Sequence, residues 1–397
     1  MAGSLNGIRV LDLGRFAACP YAGMLFADLG AEVIRVERSG GGADRHMGIL
    51  APSGDGYLFV SRARNKKAIS LNFERNDKAK EILNELVKHS DVVIENFSPE
   101  AANAMGITYD NFKKVKPDII FAHLSTFGTT GPYSHRLGFD PIAKAMSGVM
   151  AVSGFPGPPI RDQVPWVDLS TGCLTVVGVL AAVIHRQQTG KGQMIDTALL
   201  QTAITYMAPF IAEWEIGKKL RQQTGNRNNF LGPNDTYQTK DGKWVYLTVI
   251  SNPIWRRFCR FIGREELATD PRYQSDLARW EHRDILDPVV SDWVASQTVE
   301  ELMETAEQIP IPCGICYNQT EVAHDPQVKA RKMLTMVPSP DGSNEVLVSS
   351  PPLGMSETPP KIERSYPAIG QHNEEIYCGL LGYSNEDLVK LTQEGVI

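Results

Sequence analysis

The first 125 residues alternate short apolar runs with helical spans, and this alternation limits the fold more than any other feature. Ile8 to Leu13 reads as a buried strand, Tyr21 to Leu29 has helical spacing with Gly30 as its stop, and Ala31 to Glu37 reads as a second strand. A strand, a helix and a strand within roughly 30 residues form a βαβ unit, whose right-handed crossover makes the strands parallel. The pattern continues with strands at Lys67 to Leu71, Asp91 to Glu95 and Ile119 to Leu124, and a helix at Asp77 to Lys88. The predicted class is α/β, an open, doubly wound, Rossmann-like parallel sheet.

From Asp168 the character changes to long helices, Leu169 to Gln188 and Ala198 to Gly217, separated by the turn Gly190-Lys191-Gly192. The polar stretch Lys218 to Gly232 reads as a linker. Beyond it, a strand at Lys243 to Ile250, a helix opened by Pro253 and a helical span from Asp284 to Gln308 suggest a smaller α+β domain. Strand-like Glu345 to Val348, a proline-rich stretch and a last helix opened by Ser384, with Asp387 as capping-box partner, complete the chain. The expected division is a large domain over 1–217, a linker over 218–232, a small domain over 233–320, and a return to the large domain over 321–397.

Charge narrows the partners. The 397 residues carry a net charge of −6, which argues against a chain built to coat nucleic acid or an anionic membrane, so any anionic ligand needs a local basic site. The longest strongly apolar run, Cys173 to Ile184, falls short of the ~20 residues of a membrane span. The first residues carry no basic region or apolar signal core. The expected location is the cytoplasm or an equivalent reducing compartment. Six scattered cysteines make no disulfide framework, and Cys313-Gly314-Ile315-Cys316 lacks the further ligands a zinc site needs, so no metal is expected.

The first βα turn reads Gly14-Arg15-Phe16-Ala17-Ala18-Cys19-Pro20, without the G-x-G-x-x-G pattern. Although Glu37 stands where a ribose-binding acid would, a Rossmann-like fold that binds no dinucleotide is the better reading. Gly40-Gly41-Gly42 lacks the ending of a P-loop, and no G-x-S-x-G elbow, H-E-x-x-H pair or EF-hand loop occurs. The most informative segment is Gln163 to Gly172, which places Asp168 at the entry of an almost wholly apolar helix. Two readings stay open there: a helix N-cap, or a partly desolvated carboxylate nucleophile oriented by backbone N–H groups.

Asp168-Leu169-Ser170-Thr171-Gly172, Ala181 to Arg186, Thr189 to Gln193 and Ile195-Asp196 resemble the signature stretch of the family III CoA-transferases, which include formyl-CoA transferase, carnitine CoA-transferase and the α-methylacyl-CoA racemases. Further blocks similar to the family, Gly30 to Ile34, Glu37-Arg38, Asn65 to Lys67, Glu95 to Phe97, Gly138 to Asp140 and Ile311 to Gly314, follow in order along nearly the whole chain.

The resemblance implies a large domain formed by both chain ends and two subunits threaded as an interlocked homodimer. It implies acyl-CoA and a free carboxylic acid as substrates, no tightly bound cofactor, and Asp168 as the nucleophile that carries first an acyl anhydride and then a CoA thioester. For CoA it points to Ala17, Ala18, Arg38, Leu71, Asn96, Phe97 and Asp140, with Arg75, His135 and Arg136 near cationic family positions. There are departures. No glycine run lies between Gly225 and Val249, Ala104 replaces an arginine of formyl-CoA transferase, and Phe139 replaces the histidine of the racemases. A racemase or epimerase therefore stands second to a transferase, and a non-catalytic CoA-binding protein third.

Overall fold

A computed structural model describes residues 3–74 and 76–397. In chain order the first elements are β1 (Arg9–Asp12), α1 (Ala18–Asp28), β2 (Glu32–Glu37), α2 (Tyr57–Ala63), β3 (Lys67–Ser70), α3 (Asp77–Lys88), β4 (Val92–Glu95), α4 (Pro99–Met105), α5 (Tyr109–Val115) and β5 (Ile120–Ser125). They are followed by α6 (Asp140–Ser147), the single turn α7 (Val149–Val152), α8 (Trp166–Thr189), β6 (Met194–Ala198) and α9 (Leu199–Gly217). Two compact units result, one of residues 3–147, 162–207 and 329–397, the other of 148–161 and 208–328.

The first unit is built on a six-stranded parallel sheet in the order β3-β2-β1-β4-β5-β6. Alternation along each strand sends side chains to two separate cores, as expected of a sheet covered on both faces. Leu11, Ile34, Ile69 and Val93 pack with α3 and the C-terminal residues Ile376, Leu391 and Ile397. Val10, Val33, Ile94 and Ala122 pack with Met24, Phe26, Val176 and Val179 of α1 and α8. The long span after Asp168 holds one element that the sequence reading missed. β6 lies at the sheet edge, short and mostly solvent-facing, and so lacks the apolar run that marks a buried strand.

At 24 residues α8 exceeds the apolar run predicted for it, and by length and composition it is long enough to cross a membrane. Its face through Val167, Thr171, Thr175, Val179 and Ala182 is instead buried in the second core. Gly172 permits the close packing, since a Cβ there would lie 2.8 Å from the Ala18 carbonyl oxygen.

The second unit carries an antiparallel sheet of β7 (Asn234–Gln238), β8 (Trp244–Thr248) and β9 (Cys313–Ile315). Against it pack α10 (Asn252–Phe261), α11 (Glu265–Thr269), α12 (Asp276–Glu281), α13 (Arg283–Ala295) and α14 (Val299–Gln308). The continuous helix predicted over 284–308 is two helices, because Thr298 and Glu301 form a capping box that restarts the chain. After α15 (Gln319–Val322) and α16 (Pro326–Ala330), the chain adds the hairpin β10 (Leu334–Pro338) and β11 (Glu345–Ser349) to the first unit, then α17 (Asn373–Tyr377) and α18 (Asn385–Gln393). The Ser384–Asp387 capping box opens α18 as predicted. Cys313 and Cys316 are free thiols, and no metal-ligating cluster occurs among the described residues.

Candidate active site

A sheet ordered 3-2-1-4-5-6 reverses direction between β1 and β4, and the chain segments leaving the carboxyl ends of those strands part to form a crevice. Here a cavity of about 310 Å³ occupies that place, lined by Arg15 to Ala18 after β1, Asn96 to Pro99 after β4, Ser125 to Phe127 around the end of β5, and by Arg136, Phe139 and Asp168.

Buried charge shapes the first turn. Lys66 donates to Asp12 at 2.7 Å with both side chains fully buried, and the other Asp12 oxygen accepts the Gly14 amide at 2.9 Å. A Cβ on Gly14 would meet the Cys19 sulfur at 2.3 Å, so no larger residue fits. The Asn96 side chain then clasps Arg15, accepting from its amide and donating to its carbonyl, each at 2.7 Å. Phe16 takes a positive φ of 66° and meets Phe139 edge to face at 5.6 Å. The Arg15 guanidinium lies 4.8 Å from the centroid of the Phe97 ring and pairs with Glu74, which also pairs with Arg38 at 2.9 Å. Burial works against ionisation of Glu74, but Arg15 and Arg38 outweigh it and hold the carboxyl below its usual range.

Asp168 is the third residue of α8 and not its N-cap, a position held by Pro165. The helix start is secured from outside. Asp140, first residue of α6, accepts the amides of Val167 at 3.0 Å and Asp168 at 3.3 Å, and its other oxygen pairs with Lys144 at 2.9 Å. The half-buried Asp168 carboxyl is thereby left without a hydrogen-bond donor among the described residues. Burial pushes it up to about 7, Asp140 pushes the same way, and Arg62 and Lys144 pull it down. A carboxyl poised near neutrality in a crevice is the usual mark of a working group.

Of the residues expected at a CoA site, Ala17, Ala18, Asn96, Phe97 and Arg136 line this cavity with Asp168. Asp140 lies behind Asp168 and acts through the helix start. Arg38 lies outside the cavity, exposed, in shallow recesses beside Glu74. Leu71 is 0% exposed, within the first core, and does not line the cavity. Arg75 falls outside the described residues, and exposed His135 does not line the cavity. Glu37 is engaged by Arg45 at 2.6 and 2.9 Å in a buried ion-pair network, which leaves it no role toward a ribose. Sequence reasoning missed Arg15, whose signal was its place in the first βα turn.

The family description CoA-transferase family III matches residues 5–373. The chain belongs to this family. Its relatives include the succinyl-CoA–D-citramalate CoA-transferase of Chloroflexus aurantiacus, 35% identical over 99% of this chain and 98% of that protein. The beta subunit of succinyl-CoA–L-malate CoA-transferase from the same organism is 33% identical, again over 99% and 98%. Among solved structures, a CAIB/BAIF family protein from Brucella suis superposes with a TM-score of 0.83 at 30% identity, covering 96% of this chain and all of that one. In this CoA-transferase Phe139, 57% exposed, lines the cavity.

Proposed function

We propose that this transferase moves CoA from an acyl-CoA thioester to a free carboxylic acid with Asp168 as the covalent nucleophile. The observation that carries the reading is the Asp168 carboxyl itself, at the sheet's switch point, held by its backbone and unencumbered at its side chain. Its carboxylate attacks the thioester carbonyl, the C–S bond breaks, and an acyl-aspartyl anhydride and CoA thiolate form. The thiolate attacks the aspartyl carbonyl, releasing the first acid and leaving an aspartyl-CoA thioester. The acceptor carboxylate displaces CoA into a second anhydride, and the returning thiolate takes the new acyl group, freeing Asp168. Anhydride and thioester are both activated enough to pass the group on.

The cavity rim suits CoA. Arg15 and Arg136 offer guanidinium forks for phosphate, and Phe97 and the backbone at Ala17 and Ala18 offer contact for the pantetheine arm. Arg38 extends the basic rim where Glu74 releases it. The two units of each chain fit a large and a small domain, and the apolar surface at Ile184, Tyr206, Ile211 and Trp214 fits burial in an interlocked homodimer. The relatives' names make short dicarboxylic acids, with succinyl-CoA as donor, the first pair to assay.

Incubation with a panel of acyl-CoA thioesters and free acids, followed by mass spectrometry of the thioester pool, tests the reading. Transfer yields new thioesters of the added acids. An α-methylacyl-CoA that gains enzyme-dependent deuterium in deuterium oxide, without any acid exchange, would instead make the protein a racemase.

A further inference from the structure

The register of β4, β5 and β6 sets Glu95, His123 and Asp196 in one row across the sheet. Glu95 and His123 are 0% and 2% exposed. The imidazole Nδ1 meets one Glu95 oxygen at 2.5 Å, and the other Glu95 oxygen accepts the amide of Phe97 at 2.8 Å. Asp196 is engaged elsewhere, accepting the Thr129 amide at 2.9 Å, and the imidazole Nε2 has no hydrogen-bond partner among the described residues. Glu95 is the one anchor of the ring.

A carboxylate with no exposed surface is costly to bury unless donors occupy its oxygens. Glu95 meets that need with one backbone amide and one ring nitrogen, and since a carboxylate only accepts, Nδ1 carries the proton. The imidazole therefore fixes which way the carboxylate turns. The turn after β4 depends on that orientation, because the Phe97 ring packs edge to face on Phe73 at 6.2 Å and carries the Arg15 guanidinium at 4.8 Å. Asn96 clasps the backbone of the same Arg15. Arg15, Asn96 and Phe97 all line the cavity that holds Asp168, and His123 stands behind them, joined to this wall through Glu95.

We infer that His123 is a positioning residue for the wall of the CoA site: through Glu95 it sets the Phe97 amide, and with it the ring on which Arg15 rests. The inference rests on the reading of this cavity as the CoA site. His123 touches no substrate and takes no part in the acyl steps. Asp168 takes its backbone support from Asp140 and not from this row. Loss of the imidazole N–H therefore weakens the hold on CoA in ground and transition state alike, which raises the dissociation constant and leaves kcat largely as it was.

The test compares His123→Asn and His123→Gln by calorimetry with CoA, by kcat at saturating substrate and by urea midpoint. An asparagine Nδ2 stands where the imidazole Nδ1 stood, and a glutamine Nε2 where the imidazole Nε2 stood, so only asparagine keeps a donor on Glu95. Asparagine also leaves the larger void, so a residue that merely fills space predicts the reverse order. His123→Gln should raise the CoA dissociation constant ~10-fold, the lower end for a hydrogen bond to a charged group, with little change in kcat. His123→Asn should bind CoA much as wild type does. Weakened binding in a folded His123→Asn overturns the inference whatever glutamine does, and so does full affinity in His123→Gln or a loss in kcat in place of affinity. Phe97→Ala separates the underlying reading: if that variant binds CoA like wild type, this wall is not part of a CoA site and the inference falls with that reading.

Discussion

The amide of Asp168 donates to the carboxylate of Asp140 at 3.3 Å, so one acidic side chain fixes the backbone of another while raising the pKa of its carboxyl. Asp140→Asn separates the two effects, because an amide oxygen still accepts the helix N–H groups but carries no charge. The acid limb of kcat/KM for the acyl-CoA should move below its wild-type position, and Lys144 keeps Asp162 as partner. Profiles of kcat/KM against pH for the two proteins check this.

In wild type the carboxyl is pushed up to about 7, first by burial and then by Asp140. The reactive form is the carboxylate, so kcat/KM for the donor should fall about tenfold per pH unit below that point. A profile flat down to pH 5 would mean that no such group limits the reaction.

The same shift makes a stability statement of the opposite sign. The folded-state value lies above the ordinary 3.8, so the group's favourable contribution is complete below about pH 4 and is lost as pH rises through about 7. Asp168→Asn should therefore be more stable than wild type at pH 8, by roughly 1 to 3 kcal/mol after solvent screening, and should lose that advantage near pH 4. Urea titrations at the two pH values read the difference.

Beneath the first turn, Lys66 and Asp12 form a pair with no exposed side-chain surface. Lys66→Met strands a buried carboxylate and should cost about 3 to 5 kcal/mol, measurable as a fall in the urea midpoint. Activity should fall with it, because the same carboxylate holds the Gly14 amide.

Most of the large unit was legible because its strands are buried on both faces and so appear as uninterrupted apolar runs, such as Val92 to Ile94. β6 was not, since an edge strand carries Asp196 and half-exposed neighbours. Asp168 stood out as a carboxylate beside an apolar helix, yet the sequence left open whether it capped that helix. Asp140 decides the matter from 28 residues away by accepting the amides itself. The family blocks pointed to Leu71, which lies in the first core and not along the cavity.

The central claim, that Asp168 carries CoA as a covalent thioester during transfer, is tested most directly by intact-protein and peptide mass spectrometry after brief incubation with an acyl-CoA donor and acid quench. The account predicts a CoA-sized adduct confined to the peptide that contains Asp168, lost on adding an acceptor acid and absent in Asp168→Asn. A CoA adduct on any other residue, or transfer that persists at wild-type rate in folded Asp168→Asn, would contradict it.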